Sequence, residues 1–473
     1  MTSSVRAEIV ASRLDALPMT SGLFRLVARI SAGGWFESYD LFMLAYISLG
    51  MVRSGLFSAA SLGLNGIPVF AGAGFAGMFV GTLLFGWVSD HFGRRAAFVW
   101  SLAWYSAFTI AMAFATTALG IDLLRFFAGL GIGVQLITID AYVSEITPPH
   151  ARGRAIAFSQ AITFSAVPVV ALIARFLVPI TWIGLDGWRL VALIGGVGAI
   201  AIWPVVRRLP ESPRWLAAHG RVDAALSELT TIERLAHTSM GLRDLASPVS
   251  VPGVTDDDAS QPGAPAETAP SSVWWREMWS ATYRPRSAML VLFNFCQTIG
   301  FYGFASWVAI LLFNEGVSFI HSLQYVFVIA LAAPLGPLIA MRAAERAERK
   351  WQIVGLAAAS AGLGLAFAAA RSPWAIIVLG LGLTLANNWF SCAFHAYQAE
   401  LYPTRIRAQA VGFVYSWSRL SAVFVGFWIA AILARYGSGA AFSFIAAAMA
   451  LAGGAIAAVG PLTRGRRLES ISP

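Results

Sequence analysis

The chain has 473 residues, 58% of them hydrophobic and only 12% charged, with a mean hydropathy of +0.69. A soluble chain carries roughly a quarter charged residues, so the composition excludes a soluble protein and makes lipid the solvent for most of the surface. The net charge of +9 would suit nucleic acid only if it were gathered on one folded face, and its distribution along the chain excludes that.

The first 21 residues, beginning MTSSVRAEIVASRLDALPMT, have no apolar core and no small-residue cleavage site, so the first span is expected to be retained as a helix. Apolar runs long enough to cross a bilayer are predicted near 22–50, 66–88, 96–118, 120–145, 154–178 and 188–207. A second set follows near 286–313, 319–341, 351–370, 374–401, 407–434 and 439–461. Between the sets lies a non-apolar stretch. It opens with LPESPRWLAAHGRVDAALSEL, which reads as helical after Pro213. It continues through PVSVPGVTDDDASQPGAPAETAPSS, a segment expected to be disordered because such a composition cannot bury a core. WWREMW at 274–279 is expected at the membrane interface, where Trp is favoured.

The chain therefore reads as an all-α membrane protein of twelve transmembrane helices in two pseudo-symmetric six-helix bundles. The expected divisions are a cytoplasmic N-terminus (1–21), a first bundle (22–208), a cytoplasmic linker (209–285), a second bundle (286–461) and a cytoplasmic tail (462–473). With both termini inside, about 26 of the 33 basic residues fall at the cytoplasmic ends, as the positive-inside rule requires. The charge reports topology, and a multi-pass membrane location with both termini in the cytoplasm is expected. No nucleic-acid partner is implied.

The two halves repeat. YVSEITPPHAR (142–152) follows the fourth span and YQAELYPTRIR (397–407) follows the tenth. Tyr142, Glu145, Pro148 and Arg152 match Tyr397, Glu400, Pro403 and Arg407 at identical spacing. Repeated halves are how secondary transporters build a site that can face either side of a membrane.

Ionisable residues within the spans are unevenly placed. Spans three, six, nine and twelve have essentially none at their centres. Spans one, four, five, ten and eleven hold Glu37, Asp40, Arg125, Asp140, Arg175, His395 and Arg419. Charge at that depth faces a bundle interior or a watery cavity. Arg175, near a span end, can snorkel to the interface and is assigned no function. The glycine-rich run AGAGFAGMFVG (71–81) lies mid-span, where small residues serve close helix packing. Cys296 and Cys392 both fall in apolar spans, so no disulfide or metal framework is expected. No nucleotide-binding G-x-x-x-x-G-K-S/T and no nucleophile–base constellation occurs, so neither an enzyme nor a cofactor is expected.

GWVSDHFGRR (86–95) resembles the loop signature of the major facilitator superfamily. RFFAGLGIG (125–133), E-x-x-P-x-x-x-R-G (145–153) and PESPRWL (210–216) resemble its sugar-porter and organic-ion branch. The closest likeness in texture is to bacterial metabolite:proton symporters related to niacin-type carriers. The resemblance implies the major facilitator fold and a gating set. Gly86 would let spans two and eight pack closely, and Asp90, Arg94 and Arg95 would bridge to helix ends. The pairs Glu145–Arg152 and Glu400–Arg407 would lock the outward-facing state. The counterpart loop MRAAERAERK (341–350) lacks the glycines, and Glu345 with Arg349 is the expected substitute.

The resemblance also places an acid of helix 1 beside the arginine that opens the fourth-span motif, here Asp40 and Arg125. Movement of the guanidinium would switch the proton affinity of Asp40; a static structural pair is the alternative. Glu37, one turn earlier, is either a second proton site or a packing acid. Arg419 lies nineteen residues beyond Glu400, roughly 17 Å along the helix and so near mid-membrane. Organic-ion carriers that transport anions hold an Arg at that offset, and a guanidinium suits a carboxylate. Asp140 and His395 each stand five residues before their Glu and are candidate inner-cavity groups. Gln160, Gln297, Tyr302, Trp307, Asn387 and Asn388 complete the expected substrate set. Cys296, Tyr302 and His395 depart from the hexose-binding pattern.

The function expected is proton-coupled uptake of a small organic anion, such as an aromatic carboxylate, by a monomer working through alternating access. A facilitative or proton-coupled carrier of a neutral sugar or polyol is the alternative. A drug-efflux antiporter is disfavoured because SQAITFSAVPVVALIA (159–174) contains no glycine. A non-transporting nutrient sensor would carry a longer tail than 462–473.

Overall fold

The structure, a computed structural model, describes residues 3–58, 62–238, 271–343, 347–403 and 406–463. Glu345 and residues 248–270 of the expected disordered segment lie outside the described residues, as do the surroundings of Gly86 and the side chains of Asp90 and Arg407. The first half comprises α1 (Ser3–Asp15), α2 (Ser21–Arg53), α3 (Ile67–Phe92), α4 (Arg94–Phe114), α5 (Ala118–Ile146), α6 (Arg152–Phe164), α7 (Ala166–Leu177) and α8 (Gly187–Val206). A two-residue hairpin, β1 (Thr181–Trp182) with β2 (Leu185–Asp186), joins α7 to α8. The linker carries α9 (Pro213–Ala218), α10 (Val222–Thr238) and α11 (Ser271–Met278). The second half comprises α12 (Arg284–Asn314), α13 (Phe319–Ala330), α14 (Leu335–Ala343), α15 (Arg349–Ala369), α16 (Pro373–Glu400) and α17 (Arg407–Val459).

Nine helical stretches among the described residues are long and apolar enough to cross a membrane. The long α2 carries Arg25, Arg29, Glu37 and Asp40, and the apolar part of α3 is only Ile67–Leu83. With these two, and with α17 counted as two passes, the chain crosses twelve times. The α17 turn is made at Gly437, whose φ of 78° is open to glycine without strain. Two spans are broken by proline. Pro168 and Pro334 cannot donate to the carbonyls four residues back, and the helix parts at Ser165 between α6 and α7 and at Leu331–Pro334 between α13 and α14. These broken spans face each other across the halves, α7 on α13 and α6 on α14.

The glycine-rich stretch packs as expected. A Cβ on Gly77 would stand 2.0 Å from the Phe126 carbonyl oxygen, and one on Gly81 2.3 Å from that of Leu130. On the facing helix Gly129 and Gly133 meet the carbonyls of Gly74 and Met78 as closely. Helices α3 and α5 thus touch backbone to backbone through paired small residues. Large apolar side chains are exposed on the third, sixth, ninth and twelfth spans, among them Trp100, Val197, Trp351 and Leu451, and on other spans as well, among them Leu123, Phe176 and Trp374.

At the linker end, α1, α9 and α10 share a small core of Val10, Leu14, Trp215, Leu216 and Leu229. Arg13 clasps Glu233 with two hydrogen bonds of 3.0 and 2.7 Å, and Arg214 pairs with Asp15. Glu211 accepts from the backbone N–H groups of Arg95 and Ser212, capping the start of α4 and fixing the linker to it. On α11, Trp275 packs edge-on against Phe413 at the start of α17.

Candidate functional site

A cavity of about 460 Å³ lies between the halves, walled by α2, α3, α5, α6, α12, α16 and α17. The third, sixth and ninth spans contribute nothing to it. Its wall runs to Ser144, Gln398 and Gly412, near the linker-end termini of α5, α16 and α17. At the opposite end the halves are in contact. Phe42 meets Phe301 at 6.2 Å, Phe75 meets Tyr302 at 4.7 Å, and Gly72 and Gly426 bring α3 against α17.

Arg419 projects into the middle of this cavity and is 2% exposed. Its guanidinium donates to the hydroxyls of Tyr302 (3.1 Å) and Tyr415 (2.8 Å) and lies 4.9 Å from the centroid of the Tyr415 ring. Among the described residues no carboxylate comes within the 4.0 Å of an ion pair with it. Glu37, Asp140, Gln160, Gln297, Tyr302 and His395 line the same cavity. His395 stacks on Phe394 and meets Tyr415 edge-on. Gln297 donates to Thr298, which donates in turn to Ser418, tying α12 to α17 behind the wall.

Three residues expected in the cavity stand elsewhere. Trp307 is buried in the α12–α17 seam, where its ring fills the space above Gly426. Asn387 accepts from Ser360, and Asn388 donates to the Thr384 carbonyl. Both asparagines border a separate crevice of about 40 Å³ beside Tyr46 and Phe304. Asn387 and Asn388 share a helical face with Ser391, Phe394, His395 and Gln398 but stand one turn nearer the start of α16, beyond the end of the cavity wall.

Asp40 is 1% exposed and does not line the cavity. It points between α4 and α5, where Oδ2 accepts from Arg125 at 2.5 Å and Oδ1 from Thr109 at 2.9 Å. Arg125 donates a second time to the Asp40 carbonyl, at 3.1 Å. Gly74 makes room for this: a Cβ there would lie 2.9 Å from Arg125 Nε. Both Asp40 oxygens are therefore satisfied. Glu37 differs. It is 2% exposed, and its Oε2 is buried with no hydrogen-bond partner among the described residues.

The repeated motifs carry matching ion pairs. Glu145 accepts from Arg94 at 2.8–3.0 Å, and Glu400 pairs with Arg349. The sequence had set Glu145 against Arg152 and Glu400 against Arg407. A partner for each glutamate comes from the loop two spans earlier; Arg152 donates from Nε to the Ser144 carbonyl, and the Arg407 side chain lies outside the described residues. Arg94 also donates to Ser89, Arg95 to the Leu209 carbonyl, and Arg214 to the carbonyl of Glu145.

Sequence reasoning missed Tyr415 and Thr109. Tyr415 stands one turn before Arg419 on the same helical face, so the spacing that finds helix neighbours would have found it. Nothing in the apolar fourth helix singles out Thr109.

Comparison with known proteins agrees with this architecture. The niacin transporter NiaP of Acinetobacter baylyi is 30% identical over 98% of this chain and 99% of its own. The gentisate transporter of Corynebacterium glutamicum is 25% identical over 87% of this chain and 82% of its own. The proton:xylose symporter XylE of E. coli, in its inward-open form, matches with a TM-score of 0.71 at 16% identity, covering 95% of this chain and 99% of that one. The model of the sugar (and other) transporter family matches residues 27–473. A two-bundle helical carrier with a central cavity, no enzyme, and a match over almost the whole chain leave one conclusion: this protein belongs to the sugar (and other) transporter family of the major facilitator superfamily.

Proposed function

We propose that the protein takes up a small organic anion, an aromatic monocarboxylate above all, together with protons by alternating access. The observation that carries this reading is Arg419, a buried guanidinium in the central cavity whose hydrogen-bond partners are two phenols and no carboxylate. A planar, permanently charged fork matches a carboxylate through two parallel hydrogen bonds. The rings of Phe164, Phe301, Phe394, Tyr302 and Tyr415 around it suit a flat aromatic body. Niacin and gentisate, named for two relatives, are both aromatic acids, which supports the same class.

Asp40, Glu37 and Arg125 are the proposed coupling set. Buried acids on a cavity helix are expensive in a bilayer, and dependence of their protonation on conformation would offset that cost by linking proton movement to rocking of the halves. The linker end is assigned to the cytoplasm of a bacterial inner membrane, because the basic residues cluster there. Arg94–Glu145 and Arg349–Glu400 are the proposed gating contacts at that mouth.

Gln160 and Gln297 in the cavity wall favour the second reading, a neutral sugar or polyol. Thermal-shift screening of the purified protein against aromatic acids and sugars separates the two. Acids are expected to stabilise the wild type and to lose that effect in Arg419→Ala. Stabilisation by neutral polyols alone would overturn the anion reading.

A further inference from the structure

Two acids stand one turn apart on α2, and their surroundings are opposite. Asp40 has both carboxylate oxygens occupied by Thr109 and Arg125. Glu37 is as deeply buried but leaves Oε2 without a partner, and it lines the central cavity, as Arg419 does. Arg419 in turn is held, among the described residues, by the neutral hydroxyls of Tyr302 and Tyr415. An ionised carboxylate and a guanidinium that share one desolvated cavity attract strongly, and an incoming carboxylate would have to displace that attraction.

Resting on the anion-symport reading above, we infer that Glu37 and the substrate's carboxylate compete for Arg419, so that a proton on Glu37 is the condition for anion binding. The proton adds to a Glu37 carboxylate oxygen, leaving Arg419 with an uncompensated positive charge. The anion then takes the guanidinium. On release of the anion the same proton leaves Glu37 for water in the cavity, and the carboxylate turns to Arg419. One proton and one negative charge move together, so transport of a monocarboxylate is electrically neutral. Asp40 enters the coupling set through Arg125 and does not compete for Arg419, because Thr109 and Arg125 occupy both of its oxygens.

Other groups surround this exchange. Tyr415 lies beside Arg419 on α17, Asp140 faces Glu37 from α5, and Tyr105 faces it from α4, with Asp40 on its own helix. His395 on α16 and Tyr302 on α12 border the same space. Asp140 is the rival for the role, since it too is an acid in the cavity wall.

The test measures binding of nicotinate, gentisate and benzoate to the full-length protein in detergent from pH 5 to pH 9. In the wild type, affinity is expected to fall about tenfold per pH unit above the point where Glu37 ionises, the slope of one proton per anion. Glu37→Gln is expected to bind these anions with the same affinity at pH 8 as at pH 6. In proteoliposomes it keeps counterflow exchange and loses accumulation driven by a pH gradient. Asp140→Asn retains the wild-type pH slope. A second measurement needs no variant: calorimetry in buffers of different ionisation enthalpy is expected to show about one proton taken up per anion at pH 8. If an anion binds but Glu37→Gln keeps the wild-type slope, or no proton is taken up, the role of Glu37 is overturned while the anion reading stands. If none of these anions binds at any pH and sugars do, both fall.

Discussion

Arg125 holds Asp40 twice, by a 2.5 Å bond to its carboxylate and a 3.1 Å bond to its main-chain carbonyl. Removing one partner leaves a buried charge uncompensated, an effect of roughly 3–5 kcal/mol. Asp40→Ala is therefore expected to lower the melting temperature sharply, and Asp40→Ala combined with Arg125→Met to recover most of the loss. A double-mutant cycle on thermal unfolding measures the coupling. Asp40→Asn, which keeps an acceptor, is expected to lose gradient-driven accumulation and retain counterflow. Retained accumulation would remove Asp40 from the coupling set.

Packing of α3 on α5 depends on glycines with no space above them. Gly77→Ala would push a methyl into the Phe126 carbonyl, and overpacking of this kind costs about 1–3 kcal/mol. Gly355→Ala and Gly362→Ala on α15 meet nothing within 4 Å and replace a poor helix former by a good one. The first variant is expected to melt lower than the wild type and the other two at or above it.

Glu145 and Glu400 occupy equivalent places in the two repeats, and so do their partners Arg94 and Arg349. All four side chains are partly solvated, so each pair is worth about 0.5–1 kcal/mol at most. Cycles on Glu145/Arg94 and Glu400/Arg349 are expected to give similar coupling energies that shrink with added salt. Their larger effect should fall on rate. Arg94→Ala and Arg349→Ala are each expected to change the accessibility of a cysteine placed at Ser144 to a water-soluble thiol reagent, in a background lacking Cys296 and Cys392. Unchanged labelling would assign these pairs to folding alone.

Tyr302 and Tyr415 steer the guanidinium of Arg419. Hydrogen bonds to charged groups contribute roughly 1.5–3 kcal/mol, part of which is regained when the anion itself takes over the donors. Tyr415→Phe is expected to weaken nicotinate binding by about five- to tenfold without abolishing it, as read by titration. Arg419→Ala should abolish it.

Hydropathy made most of the spans legible, because the bilayer leaves a long apolar run no alternative to a helix. The interruption of the fifth and eighth spans was written in Pro168 and Pro334. The turn at Gly437 was legible too, because the spans predicted at 407–434 and 439–461 end on either side of it. Within the site, family likeness brought Asp40 to Arg125, but helical phase decided which acid faces the cavity. That phase depends on how α2 sits against α4, α5 and α6, and no local pattern encodes it. The same limit explains Trp307, whereas Asn387 and Asn388 share the cavity face of α16 and miss the cavity by one turn, a matter of depth along the helix. Arg94 and Arg349, which the fold brings to Glu145 and Glu400, lie about fifty residues away along the chain, a pairing that no local spacing reveals.

Glu211 fastens the linker to the first turn of α4, and Arg214 fastens it to α5 and to α1. Helices α9 and α10 therefore travel as cargo on the first bundle, whereas α11 rides on the second through Phe413. A pair of fluorophores, one on α10 and one on α11, would read the angle between the bundles directly, turning the connector into a gauge of turnover in a single molecule.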